Sequence, residues 1–360
     1  MSNEKKALIA MSGGVDSSVA AALMKERGYD CIGITMKLYN NEDINVCTSK
    51  TCCSLDDIND ARRVSAELDI PYYVLNFTDN FKEKVIDRFV YAYEHGATPN
   101  PCIDCNRYMK FDLLFKKAQE LGYNYVVTGH YARIEYDEEK DKYLLKKAVD
   151  IPKDQSYVLY SLTQEQLRHT IFPLGDLHKT EVRDIAERND LVNAKKQESQ
   201  DICFVPDGDY AKFIEEYTGK RYEEGNFIDI EGNVLGKHKG IIHYTVGQRR
   251  GLGLVAKKPL YVCETRPEEN TVVVGFDEET YGSHLDATNL NLILEDVLDK
   301  PTRLKAKIRY NHLEQWARVE RTGEDSISVD FETPQRAITK GQAVVLYDGD
   351  VVVGGGTISS

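Results

Sequence analysis

The feature that most constrains the fold is a glycine-rich turn between a short apolar run and a helical segment near the N-terminus. Residues 7–11 (Ala-Leu-Ile-Ala-Met) are predicted to form a buried strand, and Ser-Gly-Gly then leads into a helix from Asp16 to about Arg27. Gly28 favours the end of that helix. Parallel α/β proteins bind anionic ligands at such strand–turn–helix junctions, where backbone N–H groups can hold phosphate oxygens. The junction therefore predicts a phosphate-binding α/β domain.

The segments that follow alternate between strand and helix patterns. Strands are predicted over 31–38, 71–77 and 123–129, and helices over 54–68 and 81–95, the former opening with a capping-box pattern at Ser54. This alternation predicts a doubly wound parallel sheet over about the first 200 residues. A short helix is predicted over 209–217.

The C-terminal part of the chain has a different pattern. Beyond about Leu285 we expect only strands, and the β runs within 344–353 flank Asp348-Gly349, which predicts a hairpin. We therefore predict an α/β catalytic domain over 1–207, a small middle domain over 208–282 and a β-barrel-like C-terminal domain over 283–360.

Composition limits the classes of protein to consider. Charged residues make up 29% and apolar residues 41% of the chain, as in soluble globular proteins, and no apolar run reaches transmembrane length. The N-terminal segment lacks the features of a secretory signal, so we expect a cytoplasmic protein. Eight cysteines in a reducing compartment favour catalytic or metal-binding thiols. A net charge of −13 means that any nucleic acid must bind at local basic patches.

The glycine-rich turn, residues 11–18, matches neither common nucleotide-binding loop. No Gly-Lys-Ser follows, as in a Walker loop, and the third glycine of a dinucleotide-binding loop is missing. The turn resembles the SGGxDS loop of the N-type ATP pyrophosphatases, which cleave ATP between its α and β phosphates and adenylate a substrate. The resemblance implies ATP and Mg²⁺ as cofactors, with Asp16 available to the magnesium ion.

Five further segments narrow the resemblance. They are TPNPCIDCNRYMKF (98–111), VVTGHYAR (126–133), KDQSYVLYSL (153–162), QESQDICFVPDGDY (197–210) and IHYTVGQRRGLG (242–253). Together they resemble the tRNA-specific 2-thiouridylases over essentially the whole chain. This resemblance implies ATP-dependent 2-thiolation of the wobble uridine, position 34 of tRNA, by adenylation of the C2 oxygen and transfer of sulfur. It also implies tRNA as a partner and a cysteine desulfurase or sulfur-relay protein as sulfur donor.

The same resemblance implies the roles of individual residues. The ATP site would comprise Ala10, Met11, Ser12, Gly13, Gly14, Val15, Asp16, Ser17, Met36 and Gly129. Contacts with tRNA would come from His130, Lys153, Asp154, Gln155, Arg309, Tyr310 and Gln342. Cys105 matches the catalytic cysteine of the family and Cys203 the cysteine that carries the persulfide, and in many members these two can close a disulfide.

Cys102 departs from the pattern of many members, which have an aspartate at this position. Three thiols, Cys102, Cys105 and Cys203, are therefore available for catalysis. In one scheme Cys203 carries the sulfur and Cys105 resolves the persulfide. Some members with this cysteine pattern resemble iron–sulfur enzymes, in which three cysteines hold a [4Fe–4S] cluster with one iron left open for sulfide. The sequence leaves both schemes open.

The remaining basic and cysteine residues have weaker indications of function. Candidate phosphate contacts are the pairs Lys195-Lys196, Arg249-Arg250 and Lys257-Lys258. Cys47, Cys52 and Cys53 lack the spacing of a tetrahedral zinc site, and we interpret them as part of an exposed loop near the ATP site with no assigned role. Cys31 and Cys263 lie in strand-like runs and are interpreted as packing residues.

Two alternative functions remain at this level. One is another adenylating sulfurtransferase with the same loop, acting on a different tRNA base or a small molecule. The other is a zinc-stabilised RNA-binding module that keeps a nucleotide loop without turnover. Release of AMP and pyrophosphate that depends on unmodified tRNA distinguishes the enzyme from the module.

Overall fold

A computed structural model describes residues 5–40, 55–197, 202–205 and 207–360. The chain forms two compact units. The first unit comprises residues 1–85, 102–208 and 350–352, and the second comprises 86–101, 209–349 and 353–360. The division into three sequential domains stays a prediction. None of the described helices has both the length and the apolar character needed to cross a membrane.

The regular elements are numbered in chain order. The strands are β1 Lys6–Ala10, β2 Asp30–Lys37, β3 Tyr72–Asn76, β4 Tyr125–Val127, β5 Ala132–Asp137, β6 Lys142–Lys147, β7 Thr170–Ile171, β8 Gly225–Ile228, β9 Val234–His238, β10 Tyr261–Arg266, β11 Thr271–Gly275, β12 Tyr281–Leu292, β13 Thr302–Lys307, β14 Gln315–Gly323, β15 Ser326–Arg336, β16 Ala343–Asp348 and β17 Val351–Ile358. The α-helices are α1 Val15–Glu26, α2 Leu55–Glu67, α3 Thr78–Phe81, α4 Asp87–Glu94, α5 Pro101–Asp104, α6 Leu114–Glu120, α7 Gln164–Arg168, α8 Lys179–Arg188 and α9 Tyr210–Thr218. Segments Lys82–Ile86 and Cys105–Leu113 are π-helical, and short 3₁₀ turns cover Ile151–Lys153, Ser156–Leu159, Ile241–His243, Pro267–Glu269, Asp277–Thr280 and Glu295–Leu298.

The first unit contains the predicted parallel sheet, in the order β3-β2-β1-β4-β7. Each neighbouring pair runs parallel, with Ala10 of β1 opposite Ile34 of β2 and Ile9 opposite Val127 of β4. From β1 the chain continues to β2 on one side, while β4 lies on the other side. The carboxyl end of β1 is therefore a topological switch point, where doubly wound sheets bind their ligands.

The core of the first unit explains why β1 is so apolar. Ile9 of β1, Val19 and Met24 of α1, Ala61 of α2 and Val127 of β4 belong to one cluster, and each is fully buried. A parallel sheet with helices on both faces buries both sides of its central strands, so those strands read as continuous apolar runs. This packing fixes the end of β1, and with it the start of the glycine-rich turn.

The second unit is built mainly from strands. One sheet has the order β10-β11-β8-β9, and a second set runs β12-β15-β14-β13-β16-β17. Because β12 pairs with both β15 and β17, this second set closes into a barrel. The predicted C-terminal β-barrel is confirmed. The predicted hairpin joins β16 and β17, but its turn lies one residue later, at 349–350, with Gly349 at φ +61°.

Some predicted boundaries are wrong. The helix predicted over 81–95 begins at Thr78 and passes through the π-helical segment Lys82–Ile86. The 3₁₀ turn Glu295–Leu298 interrupts the strands expected beyond Leu285. The strand predicted over 123–129 covers only Tyr125–Val127, because the chain leaves the sheet at Thr128. Ser54, the predicted start of a helix, lies outside the described residues, and α2 follows from Leu55.

The packing of β1 generates a stability prediction. Replacing Ile9, which is fully buried, with alanine leaves a cavity beneath the turn, and we expect the free energy of unfolding to fall by about 2–5 kcal/mol. Ile151 is 62% exposed, so Ile151→Ala should change it by less than about 0.5 kcal/mol. Urea unfolding followed by circular dichroism compares the two variants. Equal effects would contradict the assigned core.

Candidate active site

The glycine-rich turn has the backbone geometry of an anion-binding loop. Gly13 has φ +74°, and a Cβ at this position would lie 2.2 Å from the carbonyl oxygen of Asp57. The Ser12 N–H donates to Ser17 Oγ at 3.1 Å, and the hydroxyls of Ser17 and Ser18 each donate to the Gly14 carbonyl at 3.0 Å. Among the described residues no side chain caps the N-terminus of α1. The N–H groups of its first turn therefore face the loop, where a phosphate can accept from them.

The structure brings the predicted ATP-binding residues 10–17 and Gly129 together. A Cβ on Gly129 would lie 2.7 Å from the Asp16 carbonyl carbon and 2.8 Å from the Ser17 nitrogen, so the chain after β4 approaches the start of α1 closely. Met36 is 9% exposed and lies on β2, two residues beyond the Ile34 that pairs with Ala10. The carboxyl ends of three neighbouring strands thus surround the loop.

One carboxylate oxygen of Asp16 accepts hydrogen bonds from two side chains. The Tyr131 hydroxyl lies 2.8 Å and Lys179 Nζ lies 2.6 Å from Asp16 Oδ1. Lys179 begins α8, and its ammonium also lies 5.6 Å from the centre of the Tyr131 ring. Sequence reasoning missed Lys179, because a single lysine at the start of a helix carries no recognisable spacing relative to the loop. The lysine places a positive charge beside a loop that has no Walker lysine.

Lys196 also lies at this loop. Its Nζ donates to the Gly13 carbonyl at 3.1 Å and to Asp57 Oδ1 and Asp60 Oδ2, both at 2.6 Å. Burial lowers the pKa of Lys196, but the hydrogen bonds and charges of the two aspartates outweigh burial and raise it above its usual value. The prediction that Lys196 contacts a tRNA phosphate is therefore not supported, because its ammonium has three acceptors within the protein. Lys195, beside it, is exposed.

The three cysteines of the predicted sulfur centre belong to the first unit. Cys102 is exposed, whereas Cys105 and Cys203 are half-buried. Cys105 begins the π-helical segment Cys105–Leu113, a type of distortion that is frequent at functional sites. The Cys203 carbonyl accepts a hydrogen bond of 2.8 Å from the hydroxyl of Tyr39, which follows β2. The backbone of Cys203 is thereby attached to the edge of the sheet that carries the loop.

A metal site at these cysteines was considered for the described residues alone. In the part of the chain that the structure describes, no group of three or more His, Cys, Asp or Glu side chains is arranged to hold a metal ion. The [4Fe–4S] ligand set of Cys102, Cys105 and Cys203 stays a prediction. The predicted loop with Cys47, Cys52 and Cys53 lies outside the described residues.

The other two described cysteines have unreactive surroundings. Burial raises the pKa of the Cys31 thiol to about 11. Burial, followed by the negative charges of Glu279 and Glu264, raises the pKa of Cys263 to about 11 as well. Both thiols are therefore protonated at neutral pH, which agrees with the prediction that they are packing residues.

The predicted tRNA contacts of the first unit are largely engaged inside the protein. His130 is 8% exposed, and its Nδ1 lies 2.7 Å from Thr128 Oγ1. Burial, with a smaller contribution from the Lys110 ammonium, holds the pKa of His130 well below its usual value, so the imidazole is neutral. Asp154 is also 8% exposed.

The segment around Asp154 is organised by hydrogen bonds. Asp154 Oδ1 accepts from the N–H groups of Ala148 and Ser156 at 3.0 and 3.2 Å, and Oδ2 accepts from the Ser156 hydroxyl at 2.7 Å. Gln155 Oε1 accepts from the N–H of Tyr131 at 3.0 Å. Only Lys153 of this predicted triplet is both cationic and partly exposed. The direct contacts of the three residues with tRNA stay predictions.

The predicted tRNA contacts of the second unit also have partners within that unit. The Arg309 guanidinium donates from one Nη atom to the carbonyls of Val246 at 2.9 Å and Ala337 at 3.2 Å, and to the Thr339 hydroxyl. Gln342 Nε2 donates to the Thr98 carbonyl at 2.7 Å. The half-buried ring of Tyr310 has the Lys307 ammonium 5.7 Å from its centre. Arg309 and Gln342 thus hold loops of the second unit in place.

Three cations of the predicted basic pairs lie at one cavity in the second unit. Arg249, Lys257 and Lys258 line an open cavity of about 410 Å³. Their side chains are exposed, as is that of Arg250. Three cations around one open depression form a local basic patch on a chain whose net charge is −13. This is the kind of surface that RNA phosphates require.

Three protein-family models match consecutive parts of the chain. Residues 5–207 match a family model described as the tRNA methyl transferase HUP domain. Residues 211–276 match the tRNA methyl transferase PRC-barrel domain, and residues 282–358 match the aminomethyltransferase beta-barrel domain. Among solved structures, the U34-tRNA thiolase NcsA from Methanococcus maripaludis with its [4Fe-4S] cluster covers 59% of this chain and 66% of its own, with a TM-score of 0.36 and 20% identity. A similarity this low transfers neither the cluster nor the activity.

Full-length relatives are much closer. The tRNA-specific 2-thiouridylase MnmA of Clostridioides difficile is 54% identical over 354 residues, which are 98% of each chain. The tRNA-specific 2-thiouridylase MnmA 1 of Thermoanaerobacter sp. is 54% identical over 359 residues, 99% of each chain. The tRNA-specific 2-thiouridylase MnmA of Carboxydothermus hydrogenoformans is 53% identical over 98% of this chain and 97% of its own. With this identity along its whole length, and with the loop and sheet described above, the chain belongs to the tRNA-specific 2-thiouridylase family.

Proposed function

We propose that the protein is a tRNA-uridine 2-sulfurtransferase that uses ATP to replace the C2 oxygen of the wobble uridine, U34, with sulfur. The observation that carries this proposal is the loop of residues 11–14 at the switch point of a parallel sheet, in a chain that belongs to the family. The first turn of α1, which follows the loop, has no side-chain cap among the described residues and suits a pyrophosphate, and the loop has no Walker lysine. This combination supports cleavage between the α and β phosphates, with pyrophosphate held by the loop.

Adenylation makes the oxygen replaceable. The uridine O2 attacks the α phosphorus of ATP, pyrophosphate leaves, and the C2 oxygen becomes part of a phosphate ester that can later depart as AMP. The backbone of Gly13 and Gly14 and the first turn of α1 would hold the phosphates. Asp16 would hold the Mg²⁺ that accompanies ATP, and Lys179 would keep the charge at Asp16 balanced when the metal is absent.

Sulfur transfer requires an anionic nucleophile. An ordinary thiol is only a few per cent thiolate at pH 7, whereas a persulfide is more acidic and carries the sulfur atom to be donated. The terminal sulfur of a Cys203 persulfide would attack C2 and AMP would leave. The Cys105 thiolate would then attack Cys203 Sγ, releasing the thiolated tRNA and forming a Cys105–Cys203 disulfide. A thiol reductant would restore both cysteines before a cysteine desulfurase or sulfur-relay protein reloads Cys203.

Binding of tRNA would place the wobble base at the glycine-rich loop of residues 11–14. Extruding a base from a stack costs a few kcal/mol, and less in an anticodon loop than in a duplex. The basic patch of Arg249, Lys257 and Lys258 supports phosphate contacts in the second unit, and Lys153 would add one in the first. We place the reaction in the cytoplasm, where tRNA and a reducing environment are both present.

The test of this function is stoichiometric. The purified protein is incubated with Mg–ATP, a persulfide donor and tRNA that lacks the modification, and AMP, pyrophosphate and 2-thiouridine are measured. Equal amounts of AMP and 2-thiouridine, both dependent on unmodified tRNA, are expected. Thiolation of another base would favour a different adenylating sulfurtransferase. Bound zinc without AMP release would favour an RNA-binding module.

The loop generates a first prediction. Asp16→Asn keeps an oxygen that can accept from Tyr131 and Lys179 but removes the charge that a magnesium ion needs. We expect the rate of tRNA-dependent AMP release to fall about 100-fold or more, with tRNA affinity unchanged in filter binding. Glu135, a 60% exposed carboxylate paired with Lys146 at 2.9 Å, provides the control variant Glu135→Gln, which should match the wild type. A parallel loss of tRNA affinity in Asp16→Asn would contradict the assignment of this loop to ATP.

The cysteines generate a second prediction. The persulfide scheme needs Cys203 and Cys105, so Cys203→Ala and Cys105→Ala should abolish thiolation, while Cys102→Ala should keep most of it when a persulfide donor is supplied without oxygen. Cys263→Ala is the control, because that thiol is half-buried with a raised pKa. An anaerobic preparation is assayed for iron and sulfide in parallel. About four irons per chain, lost together with activity in Cys102→Ala, would establish the [4Fe–4S] alternative instead.

Asp154 and Lys153 separate a structural role from tRNA contact. Asp154→Ala leaves three buried donors without their acceptor, so we expect the free energy of unfolding to fall by about 2 kcal/mol or more. Lys153→Ala should instead weaken tRNA binding and reduce its dependence on salt, with little effect on stability. Thermal unfolding and filter binding at two salt concentrations measure both effects. Stable Asp154→Ala protein with weakened tRNA binding would show that Asp154 contacts tRNA directly.

A further inference from the structure

The carbonyl oxygen of Gly13 accepts hydrogen bonds from two side chains that the adenylation scheme does not use. Asn193 Nδ2 lies 3.0 Å and Lys196 Nζ lies 3.1 Å from this oxygen. Asn193 is 4% exposed, and its Nδ2 also lies 2.9 Å from Ser18 Oγ. Because a carbonyl oxygen can only accept, the amide nitrogen of Asn193 must face Gly13, which fixes the orientation of the side-chain amide.

The peptide between Gly13 and Gly14 decides which way the loop presents its N–H groups. In a trans peptide the C=O and the following N–H point in opposite directions. Since the Gly13 carbonyl faces Asn193 and Lys196, the Gly14 N–H faces away from them, and its nitrogen lies 3.4 Å from Ser12 Oγ. A hydrogen bond of this length is weak, so a phosphate oxygen can replace the hydroxyl as acceptor.

Lys196 has a second effect, which is electrostatic. Asp57 and Asp60 lie on the same face of α2, and their side chains are only 13% and 26% exposed. The ammonium of Lys196 contacts both at 2.6 Å, and its three N–H donors match its three acceptors. Without Lys196, two poorly screened carboxylates would stand beside the loop that receives the triphosphate, and they would repel it.

We propose that Asn193 and Lys196 are positioning residues for ATP. Together they hold the Gly13–Gly14 peptide in the orientation in which its N–H binds the pyrophosphate part of ATP, and Lys196 neutralises Asp57 and Asp60 at the same place. Neither side chain contacts the reacting atoms. The proposal rests on the proposed use of ATP. It adds the residues that orient the loop by binding the Gly13 carbonyl, on the side opposite the Gly14 N–H.

The test separates ATP binding from folding. In Lys196→Met the cation is lost at similar side-chain length, and in Asn193→Asp a nearly isosteric oxygen replaces the amide donor. We expect each to raise KM for ATP, at saturating tRNA, about 10-fold or more, with a smaller change in kcat, because the ground-state contact with pyrophosphate is weakened. Lys196→Arg should recover most of the loss. Lys117→Met removes a lysine paired with Glu120 at 2.8 Å on the surface of α6, and it should match the wild type.

Two measurements make the outcome decisive. KM does not depend on the fraction of folded enzyme, so a variant that is merely unstable loses activity without a change in KM. Calorimetric titration with Mg–ATP then reports affinity without turnover, and Asn193→Asp serves if Lys196→Met does not fold. Wild-type KM and ATP affinity in both variants would overturn the proposal, as would an increase that Lys196→Arg does not reverse. A wild-type protein that neither binds ATP nor releases AMP would refute the proposed function itself.

Discussion

The contact between Gly13 and the start of α2 is the constraint on which the site depends. A side chain at residue 13 would collide with the Asp57 carbonyl, and the φ of +74° lies where residues with a Cβ are strained. The loop can therefore turn tightly from β1 into α1 only with glycine at this position. The fully buried core under β1 and α1 holds both ends of the turn.

Charge is balanced locally around this point. Lys179 pairs with Asp16, and Lys196 pairs with Asp57 and Asp60, all at 2.6 Å. A hydrogen bond to a charged group contributes about 1.5–3 kcal/mol. Freeing Lys196 for a tRNA phosphate would break its bonds to both Asp57 and Asp60, which would cost about 3–6 kcal/mol. A phosphate contact at the protein surface cannot offset that loss. Exposed residues such as Arg249 and Lys257 pay no such cost, which is why they are the better candidates for binding tRNA.

Two of the described cysteines have surroundings that disfavour the thiolate. Cys31 and Cys263 have pKa values raised to about 11, and a thiol that stays protonated is neither a nucleophile nor a metal ligand at neutral pH. Cys102 is exposed, and Cys105 and Cys203 are half-buried. Cys102, Cys105 and Cys203 therefore remain the residues proposed for sulfur chemistry.

The sequence by itself determined the class of fold and the family. Apolar runs at β1, β2 and β4, with a glycine-rich turn after the first, predict a parallel sheet with a phosphate site, and the Asp348-Gly349 pattern predicts the last hairpin to within one residue. These features are local, so periodicity and turn chemistry reveal them. Only the tertiary structure decided that Lys179, Asn193 and Lys196 surround the loop, because they lie more than 160 positions from it in the chain. It likewise decided that His130 and Asp154 are buried, because burial depends on what packs against a side chain and not on its neighbours in sequence.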